Sequence, residues 1–192
     1  MNFATIKKFD VANGPGVRVS LFVSGCNHRC KGCFNAEAWD FDYGEKYTDK
    51  TEEEILAALD HGFISGLSLL GGEPFDPKNQ PCVASLLKKV KERYPQKDVW
   101  CYTGYTFDKD LVKGGAAYTE YTDGMVSRID VLVDGKFVEE LKYVKLRFRG
   151  SSNQRIIDVK RSLEEGRIRL WLDGGIGGSY YTDEDLAKGK KV

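Results

Sequence analysis

Three cysteines within eight positions, Cys26, Cys30 and Cys33, constrain this chain more than any other feature. The run Cys26-Asn27-His28-Arg29-Cys30-Lys31-Gly32-Cys33 has the form Cys-x3-Cys-x2-Cys, which lets three thiolates on one short loop face a single metal centre. Structural zinc ordinarily takes four ligands. The nearest fourth, His28, lies inside the loop, where a short chain hardly wraps back onto the same ion. A 4Fe–4S cluster on three thiolates suits the spacing better, because it leaves one iron with no protein ligand and open to chemistry. A structural zinc or iron–sulfur knuckle, or three reduced surface thiols, are the plainer readings of the same residues. Five cysteines, an odd number with three clustered, make a poor disulfide framework and a better metal site. Cys82 and Cys101 lie in apolar stretches and read as small hydrophobes.

The loop follows a β-branched and aromatic run, residues 17–23, that reads as a strand. Further strands are expected at 66–70, 98–102 and 129–133. Helices are expected from a Thr51-Glu52-Glu53-Glu54 capping box, over 83–94 and briefly over 107–112. Strands alternating with helices at roughly 30-residue spacing imply βαβ units and a mostly parallel sheet in an α/β fold. In such sheets ligands bind at the carboxyl ends of the strands. The cysteine loop, Gly71-Gly72-Glu73-Pro74 and Thr103-Gly104-Tyr105 each follow an expected strand, so all three should meet on one face. Residues 114–128 read as a loop or insertion. Beyond Val159 come a helical piece (159–165), a strand-like stretch (167–172), a glycine run (Gly174 to Gly178) read as a flexible linker, and a frayed end at 188–192.

The chain has 192 residues, a normal size for one domain. Its 29 basic and 29 acidic side chains cancel. That balance gives no long-range pull toward nucleic acid or an acidic membrane surface, so neither is expected as a partner. No apolar run reaches the roughly 18 residues of a membrane span. The N-terminus lacks the apolar region of a secretory signal, and a cytoplasmic location is expected.

Cys-x3-Cys-x2-Cys after a strand, then Gly-Gly-Glu-Pro after the next clear strand, resembles the radical S-adenosylmethionine superfamily. The resemblance implies a partial (β/α) barrel over residues 1–159, with 160–192 as a C-terminal extension. It implies a 4Fe–4S cluster on Cys26, Cys30 and Cys33 whose unique iron binds the methionine moiety of S-adenosylmethionine. One electron then breaks the sulfur–C5′ bond, and the resulting 5′-deoxyadenosyl radical abstracts a hydrogen atom. Gly32, Cys33, Phe34, Asn35, Gly71, Gly72 and Glu73 are the expected cofactor-binding residues. The glycines permit close backbone approach, and Glu73 is expected to accept a hydrogen bond from the methionine ammonium.

Asn13-Gly14-Pro15-Gly16-Val17-Arg18 and Leu21 to Cys26 are similar to the entrance of glycyl-radical-enzyme activases. Trp100 to Tyr105, Val131 to Phe137 and Arg149-Gly150-Ser151-Ser152-Asn153-Gln154-Arg155 narrow the resemblance to the family that activates anaerobic ribonucleoside-triphosphate reductase. That implies an oxidoreductase whose substrate is a glycine of the reductase, supplied with electrons by an external one-electron donor such as a flavodoxin. Two departures stand out. Asn13 replaces the Asp common at the entrance, and Gly32 stands where superfamily members carry an aromatic residue beside the adenine, leaving Phe34 or backbone for that task. A radical enzyme acting on a small, deazapurine-type molecule and a non-enzymatic metal-binding module remain as alternatives.

Other side chains carry balanced readings. Arg18 either orients an acidic group near the cofactor or is a strand-edge charge. Trp100, Tyr102 and Tyr105 are expected to alternate between core and surface. Arg149 and Arg155 either hold a partner carboxylate or flank a solvated loop. His28 and His61 receive no role. Tyr180-Tyr181 is read as an apolar anchor on the domain's own surface, with docking on the reductase as the alternative.

Overall fold

The computed structural model describes residues 1–171; Leu172, the glycine run, Tyr180-Tyr181 and the final lysines lie outside the described residues. Seven strands form one sheet in the order β3-β1-β2-β4-β5-β6-β7. The four central strands are β2 (Val17–Val23), β4 (Ile64–Gly71), β5 (Asp98–Tyr102) and β6 (Val131–Asp134), and they run parallel. These are the four strands expected from sequence, shifted by up to two residues at their ends. The edges are antiparallel: β1 (Asn2–Asp10) and β3 (Glu45–Lys46) on one side, β7 (Arg155–Asp158) on the other.

β1 escapes a period-two reading because its register slips between Phe3 and Thr5 and again between Lys7 and Asp10. Each slip changes which side chains face which side of the sheet. The short helix expected at 107–112 is absent, and the chain there makes turns instead. Asp110 Oδ2 accepts from Thr106 N–H and Asp134 Oδ2 from Phe107 N–H, and Gly114 at φ +87° closes the segment. The stretch read as a loop, 114–128, contains α3 (Thr122–Val126), whose Met125 and Val126 join the core. Of 167–172, the described part makes an isolated bridge from Leu170 to Ile157 rather than a strand.

α1 (Asp49–Leu59) starts earlier than the Thr51 box implies. Thr48 is the N-cap, its hydroxyl accepting from Thr51 N–H while the Thr51 side chain accepts from Thr48 N–H. α2 (Gln80–Arg93) likewise starts before Val83, because Pro81 sits in its first turn, where the missing N–H costs nothing. α4 (Val159–Glu165) follows β7 directly, capped by the Asp158 side chain.

Strand alternation separates two apolar layers. Val19, Leu21, Leu67, Leu69, Val99, Cys101, Leu132 and Ile157 face α1 and α2, meeting Ile55, Leu59, Val83, Leu86, Leu87 and Val90. The opposite face carries Arg18, Ser20, Ser68, Trp100, Val131 and Val133. Trp100 and Tyr102 therefore both point to this second face, which is itself covered. Trp171 and Phe148 pack on Trp100 at ring-centroid distances of 4.9 and 5.2 Å.

Arg18 is fully buried on that face. It pairs with Asp98 at 2.5 Å and donates to Ser68 Oγ, the Leu67 carbonyl and the Pro15 carbonyl. Buried Asp10 accepts from Ser20 Oγ, Asn13 Nδ2 and Ala12 N–H. These contacts fold the 11–16 loop against the sheet. Asn13 thus donates to Asp10, a task that an Asp at this position does not perform at neutral pH.

Under the far end of β5 and β6, Asp130 accepts from Lys91, Lys160 and Val99 N–H. Burial pushes its carboxyl up, but the two lysines and the amide outweigh that and hold it below 3.8. A depressed folded-state pKa contributes stability that is complete above the unfolded value and is lost as pH falls through the folded one. The stability gap between wild type and Asp130→Asn is therefore expected to be constant above about pH 5 and to close on acidification. Thermal melts of both proteins across that range check this.

Candidate metal centre and cofactor cavity

The carboxyl ends of β2, β4, β5 and β6 open into one cavity of about 420 Å³. Cys26, Cys30 and Cys33 line it, together with Gly32, Phe34, Gly71, Gly72, Glu73, Thr103, Gly104 and Gly135. The three segments expected to converge do so. Asn35 stands outside the lining, at the head of a short turn (Ala36–Trp39) that carries Trp39 into it.

Backbone bonds join the cysteine loop to the Gly-Gly-Glu-Pro turn. Gly72 N–H donates to the Val23 carbonyl at 2.6 Å, and Glu73 N–H to that of Gly25 at 2.8 Å. Asn79 Nδ2 bridges the carbonyls of Ser24 and Glu73. The approach is close enough that a Cβ on Gly72 would lie 2.6 Å from the Gly25 oxygen and 2.9 Å from that of Ala38. Glycine is required there by contact with backbone, not by conformation alone.

Glu73 is the hub of the cavity, only 1% exposed. Oε1 accepts from Phe75 N–H at 2.9 Å and Thr103 Oγ1 at 2.8 Å. Oε2 accepts from Gly104 N–H at 2.8 Å and lies 3.0 Å from His28 Nε2. A carboxylate offers about four lone-pair positions, and these partners occupy all of them. His28, given no role from the sequence, is thus a site residue. Its ring also meets Tyr105 edge-on at 4.4 Å and lies flat enough on Gly104 that a Cβ there would clash with it.

Burial pushes the Cys26 thiol up to about 11, and the Glu73 charge adds to the rise, while the amide N–H groups of His28 and Arg29 oppose it. Burial raises Cys30 as well, opposed chiefly by the Phe137 amide. Backbone donors are therefore already aimed at two of the three sulfurs. Among the described residues no three His, Cys, Asp or Glu side chains converge as a single-ion site. Cys101 is fully buried in the core and Cys82 is half-buried, both away from this lining.

Gly32 has φ +69°, and a Cβ on it would lie 2.6 Å from Glu139 Oε1. The space that a larger residue before the third cysteine would need is held here by Glu139. Phe34 lines the cavity and is 84% exposed.

The Arg149–Arg155 motif is a clasp. Gln154 Oε1 accepts from Gly150 and Ser151 N–H, its Nε2 donates to the Gly135 carbonyl, and Arg149 donates to the Gln154 carbonyl. Arg155 is bound to Asp134 and Asp108 within the chain, which replaces the partner-carboxylate reading for that residue.

A family model described as a 4Fe-4S single cluster domain matches residues 12–157. Anaerobic ribonucleoside-triphosphate reductase-activating proteins are similar to this chain at 44% identity in Vibrio cholerae and 42% in Escherichia coli K12. Each alignment spans 80% of this chain and 96% of the relative. The protein of that name from Enterobacteria phage T4 is 40% identical over 81% of this chain and 93% of its own length. The chain belongs to the anaerobic ribonucleoside-triphosphate reductase-activating protein family. As a member of that family, with a 4Fe-4S domain, it has its cysteine loop, Gly-Gly-Glu-Pro turn and clasp within the matched span. Among the described residues no helix is long and apolar enough to cross a membrane.

Proposed function

We propose that this protein is a radical S-adenosylmethionine enzyme of the cytoplasm that installs a glycyl radical on anaerobic ribonucleoside-triphosphate reductase. The observation that carries the proposal is the meeting of three thiols with the Glu73 hub in one cavity at the ends of parallel strands. The donor set fits a 4Fe–4S cluster. Three sulfurs line the cavity. Held by these three thiolates alone, a 4Fe–4S cluster would keep one iron without a protein ligand. The amides facing Cys26 and Cys30 favour anionic sulfur, as outer donors around such centres do. When bound, the cluster would supply the one electron that reductively cleaves S-adenosylmethionine.

The chain's own residues bind, orient and enclose. Cys26, Cys30 and Cys33 hold the cluster. Gly71 and Gly72 give the cofactor access to backbone. Glu73 supplies the anionic acceptor for its ammonium, through the position that His28 holds in this structure. Phe34 is proposed to cover the adenine, and Asn35 to assist from the edge of the cavity. That chemistry would remove one hydrogen atom from the glycine Cα of the reductase, so the cavity has to admit that segment. The electron comes from an external donor such as a flavodoxin. The partial barrel over 1–159 with an extension at 160–192 is proposed on the same footing, supported by four parallel strands whose carboxyl ends carry the site.

Anaerobic reconstitution with iron and sulfide, followed by reduction and EPR, tests the proposal. The expected result is a reduced 4Fe–4S signal that changes when S-adenosylmethionine is added. Colourless protein with stoichiometric zinc, or a cluster indifferent to the cofactor, would sink it.

A further inference from the structure

Residues 136–150 form a strap that supplies part of the cavity wall. Phe137, Lys142, Leu146, Phe148 and Arg149 line the cavity from it. The strap is fixed at its base by the clasp: Asn153 Nδ2 donates to the Lys136 carbonyl, Val138 N–H to Ser151 Oγ, and Ser152 N–H to the Leu141 carbonyl. Lys31 of the cysteine loop pairs with Glu139 at 3.1 Å and Glu140 at 3.5 Å. Phe148, at φ +55°, is held in that rare conformation with its ring against Trp100.

The outer side of the strap is unlike a solvated loop. Leu141, Tyr143 and Val144 are 43%, 44% and 88% exposed. Among the described residues Lys142 and Lys145 have no carboxylate partner, whereas Glu139 and Glu140 share Lys31. The strap thus presents apolar surface flanked by unpaired positive charge beside the opening to the thiols.

We infer that this strap is the docking surface for the glycine-bearing segment of the reductase, with Tyr143 and Val144 as apolar anchors and Lys142 and Lys145 facing its carboxylates. The inference rests on the proposed function and names the partner surface of the same site. Hydrogen-atom transfer requires the glycine Cα to reach the radical carbon in direct contact, so the segment must enter the cavity, and the strap is the part of its wall that also carries exposed apolar side chains. Aromatic and apolar anchors ringed by polar groups carry most binding energy in protein interfaces. Opposite charge across the contact speeds encounter and fixes register.

The test uses Val144→Asp and the double variant Tyr143→Ser, Lys145→Glu in the reconstituted holoprotein. Affinity for the anaerobic reductase, measured anaerobically on immobilised reductase, is expected to fall about tenfold or more. The 5′-deoxyadenosine formed with a chemical reductant and no reductase is expected to stay within about twofold of wild type, since neither variant changes a cavity-lining residue. Unchanged reductase affinity would overturn the inference. So would loss of 5′-deoxyadenosine formation at unchanged affinity, which would make the strap a cofactor lid. Failure of the wild type to form 5′-deoxyadenosine would strike the proposed function, while the affinity comparison would still read the strap.

Discussion

Cys26→Ala, Cys30→Ala and Cys33→Ala are each expected to abolish S-adenosylmethionine cleavage and to reduce retained iron after anaerobic desalting. With three ligands and no fourth cysteine in the lining, no neighbour can take over a lost position. Outer-shell partners of metal centres already cost about 10–100-fold on removal, so loss of a direct ligand is expected to exceed about 100-fold. Cys82→Ala should behave as wild type in both measurements, because its side chain lies away from the cavity. Iron content and 5′-deoxyadenosine yield, compared across the four variants, decide the matter. A cavity-cysteine variant with full activity and normal iron would remove that residue from the ligand set.

Glu73→Ala is expected to produce the largest loss of stability in the metal-free protein. The substitution leaves Phe75 N–H, Gly104 N–H, the Thr103 hydroxyl and His28 without their shared acceptor in a buried setting. Each orphaned polar group costs about 1–3 kcal/mol, reduced where cavity water replaces the lost partner, for a total of about 3–5 kcal/mol. At about 2–4 °C per kcal/mol for a chain of this size, the melting temperature should drop roughly 10 °C. Glu73→Gln keeps one acceptor oxygen but turns an amide NH2 toward two donors, and an intermediate drop is expected. Circular dichroism melts of the apoprotein measure this independently of cluster and cofactor. A change within about 0.5 kcal/mol would mean that Glu73 is not the hub.

What sequence could reveal here follows from the range of the interactions. The parallel core was legible because β2, β4, β5 and β6 are short apolar runs ending in glycine-bearing turns, a local signal. β1 was not, because two register slips and Lys7-Lys8 break its alternation. β7 begins at the last residue of a motif that reads as a turn, and its pairing with β6 is a long-range event. The helix expected at 107–112 had a plausible pattern, but the chain turns there instead, its short segment ending at Gly114 with φ +87°.

At the site, the meeting of the cysteine loop and Gly-Gly-Glu-Pro on one face was legible because each follows a strand, whereas their roles come from the resemblance. The Thr103-Gly104 turn could be placed by the rule that ligands gather at strand ends. His28 could not, because its partner lies 45 positions away. The clasp residues were noticed as a motif, but their task appears only when their hydrogen bonds run to 135–138 and 141. Gly32 is explained by its backbone at φ +69° and by Glu139 of the strap lying against it, neither of which the sequence displays.

The most direct measurement of the central claim is EPR of the anaerobic reductase after incubation with the reconstituted, reduced protein and S-adenosylmethionine. The account predicts a glycyl radical doublet on the reductase, with 5′-deoxyadenosine formed alongside it, and neither product when the cofactor is omitted or Cys30→Ala is used. A reductase that stays EPR-silent while the protein binds it and cleaves the cofactor would contradict the assignment of the reductase glycine as the hydrogen donor.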